Sequence, residues 1–552
     1  MFREQAPNAV EIYDSTLRDG TQSEHIAYSL ADKIDIAHQL DEFQVDYIEG
    51  GWPGSNLKDI DFFKEMKSIK LKHAKLAAFG STHHAKSKPH QDDNLLTLVA
   101  AQTPVITIFG KSWDLHVTDA LRVSLEKNLA MIRDSVAFLK QHCEKVVYDA
   151  EHWFDGWKHN REYALRTLRA AVEGGADFLV LCDTNGGSLP AEVRASAEQI
   201  RREFGTPLGI HTHNDGGLAV ANTLAAIEVG AVHVQGTING FGERCGNVDL
   251  LSVIPNLQLK LGKQCLPEKS VRRLSWLAGF VYETGNLPPR DNQPFVGKSA
   301  FAHKGGVHVS AVLRNSRCYE HIEPELVGNQ QRFLMSELAG RSNVIALLDQ
   351  SGDPFGLKTQ PDKIKDIVKS VTEREHQGYV YEAAGASFDL LVRTAIGQRP
   401  LFYRLHEYRI ISELRDDGVE FTEATVKLDI DGTQFHTAAD GNGPVNALDQ
   451  ALRKALEPTY PVLKKLSLIN YKVRIVNAQA ATAACVLVQI ESTDGHNRWT
   501  TIGSAENIIE ASWTALTEAF DTMLIEHGQK PDPAASGQRA AVREDKTAAA
   551  KS

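Results

Sequence analysis

Cysteine is scarce in this chain. Its 552 residues hold six, at positions 143, 182, 245, 265, 318 and 485, with no CxxC pair among them. Scattered single thiols exclude a disulfide framework and a thiolate zinc site, and read as free thiols in a reducing compartment. No run of roughly 18 or more apolar residues occurs, so no membrane span is expected. A basic excess is missing as well: 60 Lys and Arg stand against 71 Asp and Glu, a net charge of −11. Nucleic-acid binders carry the opposite balance, so neither nucleic acid nor membrane is an expected partner. The opening MFREQAPNAVEIYDST lacks the basic start and apolar stretch of a secretory signal, and the expected location is cytoplasmic. What is present is ordinary: 42% hydrophobic and 24% charged residues, enough for a full core.

From about residue 10 to residue 262, short apolar runs alternate with helical periods. The strand candidates are 10–13, 45–49, 75–79, 105–109, 145–148, 178–182, 208–212 and 233–236. Helical stretches lie between them, such as 29–42, 119–140, 162–173, 191–203 and 218–229. Continuous apolar strands alternating with helices mean a parallel sheet covered on its outside. Eight of them in one α/β segment predict a closed (β/α)8 TIM barrel over 1–265. An open doubly wound sheet is the alternative, but no GxGxxG follows the first strand.

A barrel of this kind carries its functional groups just after the C-terminal ends of its strands. The costly polar residues lie there. Asp14, Arg18 and Asp19 follow the first strand, and Glu49 ends the second. Lys111 follows the fourth, Glu151 the fifth, and Asp183, Thr184 and Asn185 the sixth. The seventh carries His211 and His213, and the loop after the eighth, GTINGFGERCGN, ends at Asn247. Two histidines at i and i+2 on a strand face the same side. Alone they could be hydrogen-bonded core residues. With Asp19 as a carboxylate and Asn247 as a carbonyl oxygen, they suit a catalytic divalent cation with open positions. Such a cation, held against a 2-oxo acid, would make the keto carbon electrophilic. Arg18 beside Asp19 could then stabilise the alkoxide that forms. The alternative for Arg18 is a rim salt bridge to Glu243 or Asp14.

The motifs STLRDGTQ, CDTNGG, HTHND and GFGERCGN resemble those of the metal-dependent barrel family that contains isopropylmalate, homocitrate and citramalate synthases and hydroxymethylglutaryl-CoA lyase. YIEGGWPGSN, FGKSWDLHVT and YDAEHWFDGW are similar to its long-type citramalate synthase subgroup. The resemblance implies a Claisen-type condensation of acetyl-CoA with a 2-oxo acid, pyruvate for that subgroup, followed by thioester hydrolysis. It implies a divalent cation (Mg, Mn, Co or Zn) on Asp19, His211 and His213, with Asn247 completing or supporting the sphere. Arg18 would polarise the keto oxygen, Thr184 and Asp14 would help bind the acceptor, and Glu151 would lie near the reacting centre. His308 and Tyr319, in FAHKGGVHVSAVLRNSRCYEH, match positions implicated in acid–base work on the partner subunit's barrel, which implies a homodimer. A helix-cap or packing role is the alternative for His308. A larger 2-oxo acid, or acyl-CoA cleavage, are alternative reactions; an amino-acid sensor on an inactive barrel is the non-enzymatic one.

Residues 266–400 read as a helical linker, with charged helical stretches over 271–284 and 360–375. Residues 401–527 read as an α+β unit, duplicated internally. Each half gives strand, DG turn, strand and amphipathic helix, with the turns at 431–432 and 494–495. GNGPVNAL and ENIIEASW resemble the regulatory domain of isopropylmalate synthases, which implies an isoleucine effector site within 401–527 for a citramalate route. AQAATAACV at 478–486 departs from that pattern, and a dimerisation platform is the alternative role. Residues 528–552 are low in large apolar groups and are expected to be a disordered tail.

Overall fold

The computed structural model describes residues 8–334, 341–350, 355–414, 420–476 and 484–532. Most of the expected tail, and most of AQAATAACV, lie outside the described residues. The described residues fall into two compact units, one within the bounds Met1–Phe301 and His321–Gln331, the other within Ala302–Glu320 and Arg332–Ser552.

The first unit is the expected barrel. Strands β1 (Glu11–Asp14), β2 (Tyr47–Gly51), β3 (Lys75–Ser81), β4 (Val105–Lys111), β5 (Lys145–Glu151), β6 (Phe178–Asp183), β7 (Leu208–Thr212) and β8 (His233–Gly236) close in sequence order, all parallel. The helices start where their capping residues permit. Ser29 and Asp32 form a reciprocal capping box before Leu30–Phe43, and Asn56, Asp92, Ser124 and Asn160 cap four others. Further helices add to those named from sequence, among them Leu57–Met66, Asp93–Ala101, Trp153–His159 and Leu250–Pro255. The segment expected as one helix over 119–140 divides into a π-helical turn, His116–Leu121, and Leu125–Leu139.

Successive strand residues point alternately outward and inward. The outward set packs under the helices as one large core. The inward set forms a separate cluster of Tyr13, Tyr47, Ala77, Val105, Val147, Phe178, Val180 and Cys182. Polar inward residues hydrogen-bond between strands that are not neighbours: Tyr13 of β1 with Thr107 of β4 at 2.7 Å, and Gln235 of β8 with Asp149 of β5 at 2.9 Å. The interior is thus a filled polar and apolar stack.

The expected division at residue 265 falls inside this unit. Helix Leu274–Thr284 buries Leu274, Leu277, Ala278, Val281 and Tyr282 in the barrel's own core. In the second unit, helices Arg341–Gln350, Pro361–His376 and Gly385–Ala395 lie in the segment read from sequence as a linker. The duplication after residue 401 is present, with one more strand in each half than expected. Arg404–Leu414, Glu420–Ile430 and Thr433–Gly441 make one antiparallel sheet, and Ser467–Ile475, Val486–Thr493 and Arg498–Ala505 the other. Helices Pro444–Leu456 and Ile508–Glu526 complete the repeats around a shared core that includes Leu448, Leu452, Val488 and Phe520. At the first DG turn both Asp431 and Gly432 have positive φ, 53° and 76°, which suits the right-handed twist of the flanking strands.

Candidate active site

The turn after β1 sets the first half of the site. Asp14, fully buried, spends both carboxyl oxygens on Thr16, accepting from its backbone N–H and its hydroxyl at 2.9 Å each. This closed turn brings Arg18 and Asp19 over the barrel mouth. Arg18 Nε donates to Glu49 at 2.6 Å, and Nη1 lies 3.1 Å from Asp19. These are its ion-pair partners, in place of the Asp14 or Glu243 considered from sequence. Glu49 is completely buried and also accepts from the Tyr13 hydroxyl at 2.7 Å and from Ser15 Oγ. The guanidinium stands 3.7 Å from the centre of the Phe79 ring. Phe79 in turn packs with Phe109 and Trp52. Arg18 is therefore locked on three sides before any substrate arrives.

Strand β7 supplies the second half. His211 Nε2 lies 3.1 Å from His213 Nε2 and 3.6 Å from Asp19 Oδ2. Among the described residues, Asp19, His211 and His213 form a buried group whose ligand atoms all lie within 4.8 Å of one another. Burial pushes both imidazoles toward the neutral form, His213 down to about 4, with His211 adding to the effect there. Burial alone would raise the Asp19 carboxyl; Arg18 and the facing histidines outweigh it and hold the group at about 2. An ionised carboxylate and two neutral imidazoles are the protonation states a divalent cation requires.

The loop after β8 brings the fourth candidate. Asn247 pairs with His213 in an isolated antiparallel bridge, and its Nδ2 donates to the Phe241 carbonyl at 3.1 Å. Its Oδ1 is buried without a hydrogen-bond partner, a cost that a bound cation would relieve. The glycines of GFGERCGN make this approach possible. A Cβ on Gly246 (φ +87°) would strike the Gly240 carbonyl, and one on Gly242 would strike Asn247 Nδ2. The donor set of one carboxylate, two imidazoles and an amide oxygen fits a hard or borderline divalent ion.

The remaining candidates divide. Thr184 Oγ1 accepts from His152 N at 2.8 Å, and the Thr184 carbonyl accepts from Arg244 at 2.7 Å. Glu151 forms an ion pair with Lys111 on the same rim. His152 sits between them with a left-handed backbone (φ 55°), and its Nδ1 lies 3.0 Å from Asp155. His308 and Tyr319 belong to the second unit, where their rings stack with centroids 4.1 Å apart. Sequence reasoning missed the support beneath the site: Glu49 as the anchor of Arg18, and Gln235 and Asp149 behind His211. The available signal was a polar side chain at an inward position of an otherwise apolar strand.

Comparison with known proteins agrees with this architecture. Residues 9–276 match the HMGL-like family, 295–378 the homocitrate synthase post-HMGL domain-like family, and 382–524 the LeuA allosteric (dimerisation) domain. The chain is 52% identical over 520 residues to an (R)-citramalate synthase of Aquifex aeolicus, covering 94% of this chain and 98% of that one. It is 52% identical over 522 residues to an (R)-citramalate synthase of Geobacter sulfurreducens, covering 93% and 97%. Identity to a 2-isopropylmalate synthase of Methanocaldococcus jannaschii is 30% over 519 residues, with 94% and 95% covered. The chain belongs to the (R)-citramalate synthase family.

Proposed function

We propose that this chain condenses acetyl-CoA with pyruvate and releases (R)-citramalate and CoA, as the first step of a route to isoleucine. The observation that carries the reading is the convergence of Asp19, His211 and His213 at the barrel mouth in a chain of this family. The marked drop in identity toward the 2-isopropylmalate synthase favours pyruvate over a larger 2-oxo acid.

Asp19, His211 and His213 would hold a divalent cation (Mg, Mn, Co or Zn), with Asn247 Oδ1 completing or supporting the set. The cation supplies Lewis-acid polarisation of the acceptor's keto group. Arg18, its direction fixed by Glu49, donates to the keto oxygen as negative charge develops there. Thr184 donates to the acceptor carboxylate. Asp14 contributes indirectly, by holding the turn that carries Arg18 and Asp19. A base must take a proton from the acetyl methyl group; Glu151 is the candidate within the barrel, and His308 with Tyr319 the pair supplied by the other subunit of a homodimer. The new carbon–carbon bond joins the acetyl methyl carbon to the keto carbon, the alkoxide takes a proton, and water cleaves the thioester to release the CoA thiol. The duplicated unit over 401–527 is the seat of dimerisation and of isoleucine feedback, and the enzyme works in the cytoplasm.

Thiol release from acetyl-CoA tests the reading, with pyruvate, 2-oxoisovalerate or 2-oxoglutarate as acceptor, before and after chelation. Release with pyruvate that chelation abolishes is expected. Release with 2-oxoisovalerate alone would overturn the acceptor, and release indifferent to every oxo acid would overturn the synthase.

A further inference from the structure

We infer that Gln235 is a positioning residue for the cation: it fixes which nitrogen of His211 carries the ring proton, and so aims the other nitrogen's lone pair at the site. The inference rests on the reading of Asp19, His211 and His213 as ligands.

Gln235 lies on β8 and is 1% exposed. Its Oε1 stands 2.9 Å from His211 Nδ1, and its Nε2 donates to Asp149 Oδ1 on β5 at 2.9 Å. Asp149 is itself buried. A primary amide can face either way, so its neighbours must choose. The structure turns the NH2 end to Asp149 Oδ1, which accepts. Oε1 is then left for His211, where it can only accept, and Nδ1 must carry the hydrogen. The free lone pair falls on Nε2, the atom that faces Asp19 and His213.

The usual partner behind a metal-bound histidine is a carboxylate or a backbone carbonyl. Here the amide stands between the imidazole and the carboxyl and passes its orientation across the barrel from β5 to β7. Burial keeps water from substituting for any member of the chain.

Calorimetric titration of Mn²⁺ into the metal-stripped full-length protein tests this. Gln235→Leu removes both hydrogen bonds at similar volume, and should weaken Mn²⁺ binding about 10–100-fold. Asp149→Asn leaves the amide free to turn and should weaken it less. The paired change Asp149→Asn with Gln235→Glu places a donor at 149 and an acceptor at 235, and should bring the affinity back to wild type or beyond it. A merely structural role predicts no such rescue. Equal affinity for wild type and Gln235→Leu, at matched metal-free melting temperatures, overturns the inference alone. Should Gln235→Leu fail to fold, the paired change decides: binding weaker than that of Asp149→Asn overturns the inference, and recovery supports it. No Mn²⁺ binding by the wild type overturns the ligand reading and this inference with it.

Discussion

The two ends of the barrel bury the same kinds of group and arrange them differently. At the C-terminal end His211 lies 3.6 Å from Asp19; at the N-terminal end His233, fully buried, lies 4.0 Å from Glu11. The N-terminal mouth opens on a cavity of about 1180 Å³, lined by Glu11, Tyr47, Lys145 and Phe178 among others. There the charges are already matched. Lys145 Nζ donates to the Tyr47 hydroxyl at 2.7 Å, which donates to Glu11 at 2.8 Å. His233 packs among the rings of Tyr13, Tyr47 and Phe178, and burial favours its neutral form. Unpartnered polar atoms occur at both ends, the two ring nitrogens of His233 at one and the side-chain Oδ1 of Asn247 at the other, but among the described residues only at the C-terminal mouth do three ligand atoms converge within 4.8 Å. A buried histidine beside a carboxylate does not mark a site. Three side chains whose ligand atoms converge on one point do, because a single cation can meet all of them.

The sharpest way to break this contrast is to remove a ligand. His211→Ala should reduce citramalate formation to background while the far-UV spectrum stays that of the wild type; leaving the buried Gln235 Oε1 unpaired should cost about 1–3 kcal/mol of stability. Turnover near wild type would remove the cation from the site. Arg18→Gln comes next. It withdraws the guanidinium from the developing alkoxide and should lower kcat by about 10²–10³-fold. Steady-state kinetics with pyruvate check it, and an unchanged kcat would assign Arg18 to holding Glu49 and Asp19 alone.

The active mouth and the support beneath it also differ in how legible they were. The eight strands stand out because each buries both faces and so reads as an unbroken apolar run. Arg18, Asp19, His211, His213 and Asn247 follow such runs and are visible as expensive polar residues at the right ends. Glu49 is visible in the same way, though not its role as the anchor of Arg18; Asp149 and Gln235 are not, because they sit within strands, as in YDAE and HVQG, where a single polar residue reads as the end of a run. The strands Arg404–Leu414 and Ser467–Ile475 escaped for another reason. Each lies at the edge of its sheet and is largely exposed, so charged residues such as Arg404, Glu407 and Arg409 interrupt its alternation. Helix Leu274–Thr284 was read as linker because its neighbours are charged, although its apolar face completes the barrel core.

Smaller effects should separate support from chemistry. Tyr47→Phe removes the hydroxyl that joins Lys145 to Glu11 at the N-terminal mouth. It should cost about 1–3 kcal/mol of stability, since both charged groups lose a partner. Urea unfolding reads that loss, and kcat should not move. A large fall in kcat would make the N-terminal mouth part of the active machinery and erase the contrast between the two ends.

Asp14 offers the finest distinction, because it lies beneath the active mouth and yet faces away from it. Burial raises its carboxyl from 3.8 to about 7, with the Thr16 hydrogen bonds opposing the shift. The folded state therefore keeps this proton longer than the unfolded state does. Below about 3.8 both states are protonated and nothing is lost. As pH rises from there toward 7 the unfolded chain releases the proton first, and stability declines until the folded pKa is passed. Asp14→Asn cannot titrate and lacks this decline, so its melting temperature should gain on wild type between pH 4.5 and 7.5. Taking the difference between the two proteins cancels every other titrating group. Parallel melting curves across that range would mean that Asp14 is ionised in the fold and that its burial does not raise its carboxyl.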